Sequence, residues 1–408
     1  GHQLAIEKEE AVVKAKTAPV VVAGQEGFSL KSVDGSYLLR LRAHGQADGR
    51  FFLGDQADTG IDQFLSRRQR FLFEGTVAKI FDFKFMPDFA GSKVVLQDIF
   101  IDARLSPKLK VKVGKFKTPF GIERLQSPTH LLFIERGLPN NLVPNRDFGI
   151  QFHGDVIGGR LNYMIGVFNG VPDGSSGDGD AHDDKDIAAR VMLSPFINSA
   201  DMPALAGLSF GIAATRGVHH GTAAAPNLAV YLSPGLQTIF RYRSDGSPAG
   251  ATIAQGLAER LSPQAYYHYK RFGFLGEAVV NTHHVARGEH ADELRHRSWQ
   301  AVASYSLTGE SASYKGMTPT KNFDLQAGTW GGFELVARYG VLEPDPNAFP
   351  IYADPTKSVS SIKAWALGLN WYLNRNVKFV INYERSAYQG GGNRPDEQAL
   401  FTRFQVGF

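Results

Sequence analysis

The last nine residues constrain the fold more than any other stretch. In Leu400-Phe-Thr-Arg-Phe-Gln-Val-Gly-Phe408, positions 400, 404, 406 and 408 are apolar, whereas Arg403 and Gln405 are polar. Successive side chains of a strand point to opposite faces, so this segment has one oily and one wet face. The same pattern recurs in Tyr37–Phe52. There Leu39, Leu41, Ala43, Gly45 and Ala47 alternate with Arg40, Arg42, His44, Gln46, Asp48 and Arg50. Ten or more residues of such alternation are long enough to cross a bilayer as a tilted strand. No run of 18 apolar residues occurs, which argues against a transmembrane helix.

Composition agrees with a wall that is apolar on one side only. The mean hydropathy of -0.20 suits a barrel with a polar lumen as well as it suits a soluble protein. The chain has no Cys, as expected where stray thiols are a liability. Its start, Gly1-His-Gln-Leu-Ala-Ile-Glu-Lys, lacks a basic and apolar export signal, and the barrel reading expects that signal to have been removed. The net charge of +4, from 44 basic and 40 acidic residues, is too balanced for a nucleic-acid binder.

Along the chain, residues 1–35 differ from the rest. Ile6–Lys16 is charged and Ala-rich and is expected to form a short helix, followed by an extended Val20–Val22. We read 1–35 as a periplasmic N-terminal segment and 36–408 as the barrel. Strand-like runs are Tyr37–Phe52, Phe64–Ala78, Ile80–Phe89, Val94–Leu105, Lys108–Lys117, Asp147–Val156, Arg160–Asn169 and Ile187–Phe196. They continue with Leu205–Arg216, Glu259–Lys270, Gly273–Val285, Asp292–Leu307, Trp330–Val341, Lys363–Leu373, Asn376–Ser386 and Ala399–Phe408. The expected fold is therefore all-β: a transmembrane antiparallel barrel of about 16 strands, with short turns at one end and long loops at the other. Thr118–Arg146, Gly217–Ala258 and Thr308–Thr329 are the long interruptions. Aromatics near strand ends, among them Phe51, Trp299, Trp330, Trp365 and Trp371, fit interfacial girdles.

If the apolar face meets lipid, the charged face lines water. No packed hydrophobic partner tolerates Arg40, Arg42 and Arg50 on one strand face. Arg67, Arg68 and Arg70 follow on the next strand, then Lys110, Lys112, Lys115 and Lys117. Arg and Lys rings suit anion or phosphate pores. The alternative is a set of solvated lumen residues balanced by Asp48, Asp98 and Asp102.

Several segments resemble the phosphate-selective porin O and P family: Gln46-Ala-Asp-Gly-Arg-Phe51, Phe64-Leu-Ser-Arg-Arg68, Gly114-Lys-Phe-Lys-Thr-Pro-Phe-Gly121 and Leu132-Phe-Ile-Glu-Arg136. Asn145-Arg-Asp-Phe-Gly-Ile150, Leu307-Thr-Gly-Glu310, Trp330-Gly-Gly-Phe-Glu-Leu-Val-Ala-Arg-Tyr339 and Leu367-Gly-Leu-Asn-Trp-Tyr372 add to it. A terminal strand ending on an aromatic is also what such barrels present to their insertion machinery. The resemblance runs from about Phe28 to Phe408. It implies a homotrimeric outer-membrane barrel whose third extracellular loop, Thr118–Arg146, folds inward as a constriction.

Residue by residue, the resemblance implies that Arg124 takes the place of a constriction Lys and that Arg67 and Arg68 begin an arginine ladder. Asp98 matches an acidic residue near the constriction, and Lys315 and Lys321 match a periplasmic lysine cluster. His44 stands where the family has a ladder Arg, and a neutral His weakens an anion site. The expected function is a passive anion channel, selective for phosphate or polyphosphate-like solutes if His44 and Arg124 permit. The alternative is a plugged scaffold barrel that docks an envelope partner through its N-terminal segment. Within the loop, a competing reading has Arg124 paired with Glu123 or Glu135 and holding only the loop's own fold.

Other signals carry less. Gly177-Asp-Gly-Asp180 with Asp183-Asp184 does not match an EF-hand, and adjacent His219-His220 and His283-His284 face opposite ways on a strand. No Gly-x-Ser-x-Gly elbow occurs. We expect no enzyme activity, no cofactor, no metal and no nucleic-acid partner, and we expect outer-membrane lipid around the wall.

Overall fold

The computed structural model describes residues 19–54, 60–179, 183–392 and 394–408. One antiparallel sheet holds eighteen strands, and sixteen of them close into a barrel. A hairpin of β1 (Val20–Gly24) and β2 (Gly27–Lys31) precedes the ring. The barrel strands are β3 (Leu38–Phe52), β4 (Gln63–Val77), β5 (Phe81–Asp88), β6 (Val95–Ser106), β7 (Leu109–Lys117), β8 (Arg146–Val156), β9 (Leu161–Phe168), β10 (Asp186–Leu193) and β11 (Leu208–His220). After the small pair β12 (Tyr231–Leu232) and β13 (Thr238–Phe240) come β14 (Ile253–Tyr269), β15 (Phe272–Arg287) and β16 (His290–Ser306). A second small pair, β17 (Phe323–Asp324) and β18 (Thr329–Trp330), precedes β19 (Gly332–Glu343), β20 (Val359–Tyr372), β21 (Val377–Gly390) and β22 (Glu397–Gly407).

Closure runs through the terminal strand, with Gly407 opposite His44 and Ala399 opposite Phe52. This accounts for the strict alternation of Leu400–Phe408: Arg403 and Gln405 are buried inside, whereas Phe404 and Val406 are exposed outside. Where β22 ends, β2 takes up the pairing, placing Ser29 opposite Arg40 and Phe28 opposite Leu41. The edge of β3 therefore stays paired, which removes an exposed ladder. The expected extended Val20–Val22 is β1, and the expected helix over Ile6–Lys16 lies outside the described residues.

The expected runs match the barrel strands within a few residues at most ends. The main departure is the connection expected over Gly217–Ala258. Strand β11 runs on to His220 and β14 starts at Ile253, so the irregular stretch is shorter. That stretch folds back toward the barrel interior. Tyr231, Ile239 and Phe240 are fully buried in one cluster with Phe120, Leu142, Leu294, Tyr352 and Ile362.

The barrel interior is not uniformly polar. Inward positions on β15, β16, β19, β20 and β21 include Leu275, Val279, Leu294, Val302, Val336, Ile362, Ala366 and Val380, all buried. Those on β4 to β8 include Arg68, Arg70, Asp88, Asp98 and Asp102. On β15 to β21 apolar inward residues are thus interspersed with polar ones such as Glu277, Gln300, Arg338 and Lys378, whereas β4 to β8 turn mainly charged side chains inward, and this asymmetry positions the site.

Candidate functional site: a basic constriction

The chain between β7 and β8 folds into the barrel and packs on the wall that carries these apolar residues. It carries α1 (Ile122–Leu125) and two 3-10 turns, Pro128–His130 and Leu138–Leu142. Gly121 launches α1 from φ 77, a left-handed conformation that suits glycine. Ile122 and Phe133 pack with Met192, Leu275, Val302, Val336 and Ala366. Ile134 packs with Phe52, Val380, Ala399 and Phe401. Each such large side chain contributes about 2 kcal/mol on burial, so the loop is held as firmly as a core element.

Wall side chains then fix the loop backbone. Lys378 donates to the Leu131 carbonyl at 2.8 Å, Arg403 to that of Ile134 at 2.7 Å and Arg338 to that of Glu135 at 2.8 Å. The Ile122 N–H donates to Glu277 at 2.9 Å, and Tyr314 donates its hydroxyl to the Ile122 carbonyl at 2.5 Å.

A cavity of about 500 Å³ lies between this loop, the charged wall of β4 to β8 and the inward stretch from Leu228 to Leu236. Among the described residues six arginines line it: Arg67, Arg68, Arg70, Arg124, Arg136 and Arg146. The described carboxylates in the lining are those of Glu135 and Asp173. A second cavity, of about 560 Å³, lies nearer the short-turn end and is lined among others by Arg42, His44, Lys84, Lys315 and Lys378. The segment Ser127–His130 borders both, with Pro128 on the first and Ser127, Thr129 and His130 on the second.

The partners of these cations divide into two groups. Arg70 binds Asp88 at 2.6 Å, and Arg146 binds Asp98 at 2.7 Å. Glu135 accepts from Arg67 at 2.6 and 3.2 Å and from Arg50 at 2.7 Å, with Arg403 at 3.8 Å and Arg68 at 3.9 Å. Asp48 takes Arg403 at 2.6 Å. Four guanidinium groups therefore share two carboxylates. Burial alone would raise the Glu135 carboxyl, but Arg67 and Arg68 reverse that and hold it well below the usual range.

The second group has no carboxylate partner among the described residues. Arg124 donates to the Asn140 carbonyl at 3.0 Å. Arg136 donates to the carbonyls of Glu123 at 3.1 Å and Gln126 at 3.0 Å. Lys117 donates to the same Gln126 carbonyl at 2.7 Å. Burial first, and then Arg136 and Arg146, push the Arg124 guanidinium down to about 9, so it keeps its charge at neutral pH. The expected alternative, Arg124 paired with Glu123 or Glu135, does not occur. Glu123 instead accepts from the Gly137 N–H, Asn140 and Gln300.

The other expected residues distribute as follows. Arg67 and Arg68 both reach the cavity although neighbours on a strand should diverge. The pairing steps from Gln46–Arg68 to Ala47–Ser66, so Arg67 is a bulge that re-aims both side chains. Strict alternation would also send Lys115 and Lys117 toward lipid. Gly114, at φ 131, interrupts the pleat, and Lys117 reaches the loop carbonyls. Lys115 is buried against Asp178 and the Leu96 carbonyl, away from the cavity lining. Asp98 is shared by Arg146 and Lys84. Arg42 bridges to Glu74 at 3.5 Å, and His44 is buried beside the lower cavity. Lys315 lines that lower cavity, whereas Arg40 and Lys321 are exposed and line neither.

Arg136 and Arg146, within the quoted segments but not singled out as site residues, are the contributors that sequence reasoning missed. Their spacing in the loop, opposite the Arg67–Arg70 run, carries no period that marks them.

Comparison with known proteins agrees with this architecture. Porin O of Pseudomonas aeruginosa is 23% identical over 426 residues, covering 96% of this chain and 93% of that protein. The fold matches the outer membrane channel DcaP of Acinetobacter baumannii with a TM-score of 0.59 at 9% identity, covering 93% and 99% of the two chains. It matches an anion-selective porin from Comamonas acidovorans with a TM-score of 0.57 at 10% identity, covering 91% and 100%. The family model described as phosphate-selective porin O and P spans residues 39–408, the whole ring together with its inward loop, and this porin of the bacterial outer membrane belongs to that family.

Proposed function

We propose that the chain is a passive, anion-selective diffusion channel, with Arg124, Arg136, Arg67 and Arg68 forming its selectivity filter. The observation that carries this reading is the surplus of cations without carboxylate partners. Among the described residues, Arg124, Arg136 and Lys117 are held by backbone carbonyls only, and four wall arginines share Glu135 and Asp48. A carbonyl orients a guanidinium without neutralising it, so the positive field remains available to a passing ion. A narrow passage through low-dielectric walls focuses that field. Phosphate and polyphosphate-like solutes are the class the guanidinium forks suit, since each fork matches two phosphate oxygens. Arg42, Lys84, Lys315 and Lys378 extend the basic path toward the periplasm. A homotrimer, as the family resemblance implies, is part of the same proposal.

The test is the reversal potential of the purified protein in a planar bilayer under a KCl gradient. The expected sign is anion-selective. Arg124→Glu should reduce that preference sharply, and Lys315→Glu should reduce it less, because Lys315 is exposed in the wider cavity. A cation-selective wild type, or equal insensitivity to both changes, would overturn the reading.

A further inference from the structure

The outside of the barrel carries charges where an apolar belt should end. Along β16 the outward residues run Tyr305, Ala303, Ala301 and Trp299, then Arg297, Arg295 and Glu293. From Tyr305 to Arg295 is ten positions (305 − 295). At a rise of ~3.4 Å and a tilt of ~40° this spans about 26 Å, against an apolar band of about 25 Å. Arg295 and Arg297 therefore sit at the outer-leaflet rim, above Trp299.

Register places further polar groups in the same row. Arg216 on β11 lies opposite Glu259, Glu259 opposite Thr282, and Thr282 opposite Arg295. One row nearer the belt, Ala189, Ala214, Leu261 and Val280 lead to Arg297. The small residues leave a depression of about 640 Å³ on the outer wall, apolar below and topped by the three arginines. Arg216 pairs with Glu259 at 3.2 Å, both exposed. Arg295 donates to Thr282 at 3.3 Å and lies 3.7 Å from Glu293. Glu343 stands opposite Arg297 in the ladder, yet no ion pair or hydrogen bond holds the Arg297 guanidinium among the described residues.

We propose that this depression binds a phosphorylated outer-leaflet glycolipid, with an acyl chain over Ala189, Ala214, Leu261 and Val280 and headgroup phosphates on Arg297, Arg295 and Arg216. Three outward arginines against one outward glutamate in the lining give the charge complementarity; the fourth lining arginine, Arg260, is buried on Asp173 and Asp186. An unpaired guanidinium beside lipid gains a bidentate partner in phosphate. The long stems reach upward along the apolar wall and leave the charged heads at headgroup level. From Arg216 to Arg295 is three strand spacings, about 14 Å, which suits a headgroup carrying two phosphates a disaccharide apart.

The test uses the full chain purified in detergent, with phosphorylated glycolipid added and retained lipid counted by native mass spectrometry. Wild type should retain it, and the triple variant Arg216→Gln, Arg295→Gln, Arg297→Gln should lose at least tenfold in retention. Dephosphorylated glycolipid should be retained poorly by both. Conductance, read on the same preparations, should be unchanged in the variant because these residues face outward, so failure here is distinct from failure of the channel reading. Equal retention by wild type and variant, equal retention of phosphatidylglycerol vesicle lipid, or a changed oligomeric state in the variant would each overturn the assignment.

Discussion

Replacing Glu135 with Gln should tighten anion binding in the constriction rather than loosen it. The carboxylate faces the cavity and offsets Arg67 and Arg50 most directly. The amide keeps an oxygen that accepts from Arg67 but removes one negative charge. For an anion roughly 7 Å away, in an effective dielectric of about 20–40, Coulomb's law gives about 1–2 kcal/mol of added attraction. That corresponds to a half-saturation concentration lower by roughly five- to thirtyfold. The loop should stay in place. Its backbone is held independently by Arg338 at the Glu135 carbonyl, Arg403 at Ile134 and Lys378 at Leu131. The assay is single-channel conductance against phosphate concentration in planar bilayers, where the variant should saturate earlier and at a lower plateau because release slows. Asp178→Asn is the control, since Asp178 pairs with Lys115 outside the cavity lining. An unchanged or higher half-saturation concentration in Glu135→Gln, with an unchanged melting temperature, would refute the claim that cavity charge holds the ion.

Two further predictions concern single residues. Deleting Arg67 should leave barrel assembly intact, because the ladder already runs from Arg68 directly to Ser66, while the reversal potential shifts toward neutrality; loss of the folded barrel by circular dichroism would show that the bulge is structurally required. His130, on the loop at the lower cavity, is pushed down to about 4 by burial first and then by Lys378 and Lys315. It is neutral at pH 7 and gains its charge only below pH of about 4, so anion preference should rise there and not between 6 and 7. The neutral form's contribution to stability is present above about 6.5 and is lost as pH falls toward 4. His130→Gln should flatten that response in reversal potentials measured across pH 3–7.

The strand ladder was legible because alternation is local and the lipid-facing side tolerates few exceptions. Phe404, Val406, Ile101 and Val113 are exposed where alternation puts them outside. The inner wall was not legible in the same way. On β15 and β16, Leu275, Val279 and Val302 face inward, so the apolar residues there fall on both faces and the sequence has no period that says which side a loop will cover. Arg67 with Arg68 shows the second limit. A bulge changes which face a residue takes without changing composition, and it is set by the partner strand's register, not by the residue itself. Arg124 shows the third. That it lies in the inward loop came from resemblance, whereas its freedom from Glu123 and Glu135 depends on Gln300 and Arg338 engaging the first carboxylate and Arg50 the second.

That last arrangement explains how a buried cluster of like charges can persist in a folded wall. Six arginines around one cavity repel one another, and pairing each with its own carboxylate would remove the repulsion together with the anion site. The protein uses both kinds of partner in different places. On the barrel wall, where strands fix the geometry, carboxylates such as Asp88 and Asp98 neutralise the outer members of the set. On the loop, carbonyls freed by the short helix and 3-10 turns solvate Arg124, Arg136 and Lys117 without cancelling them. Irregular backbone inside a membrane protein is tolerated only where its polar groups find partners, and here the cations of the proposed filter are those partners. The loop's fold and the channel's charge are therefore one interaction. A neutral replacement at Arg136 removes charge from the proposed filter and at the same time leaves the Glu123 carbonyl with the Gln126 N–H alone and the Gln126 carbonyl with Lys117 alone.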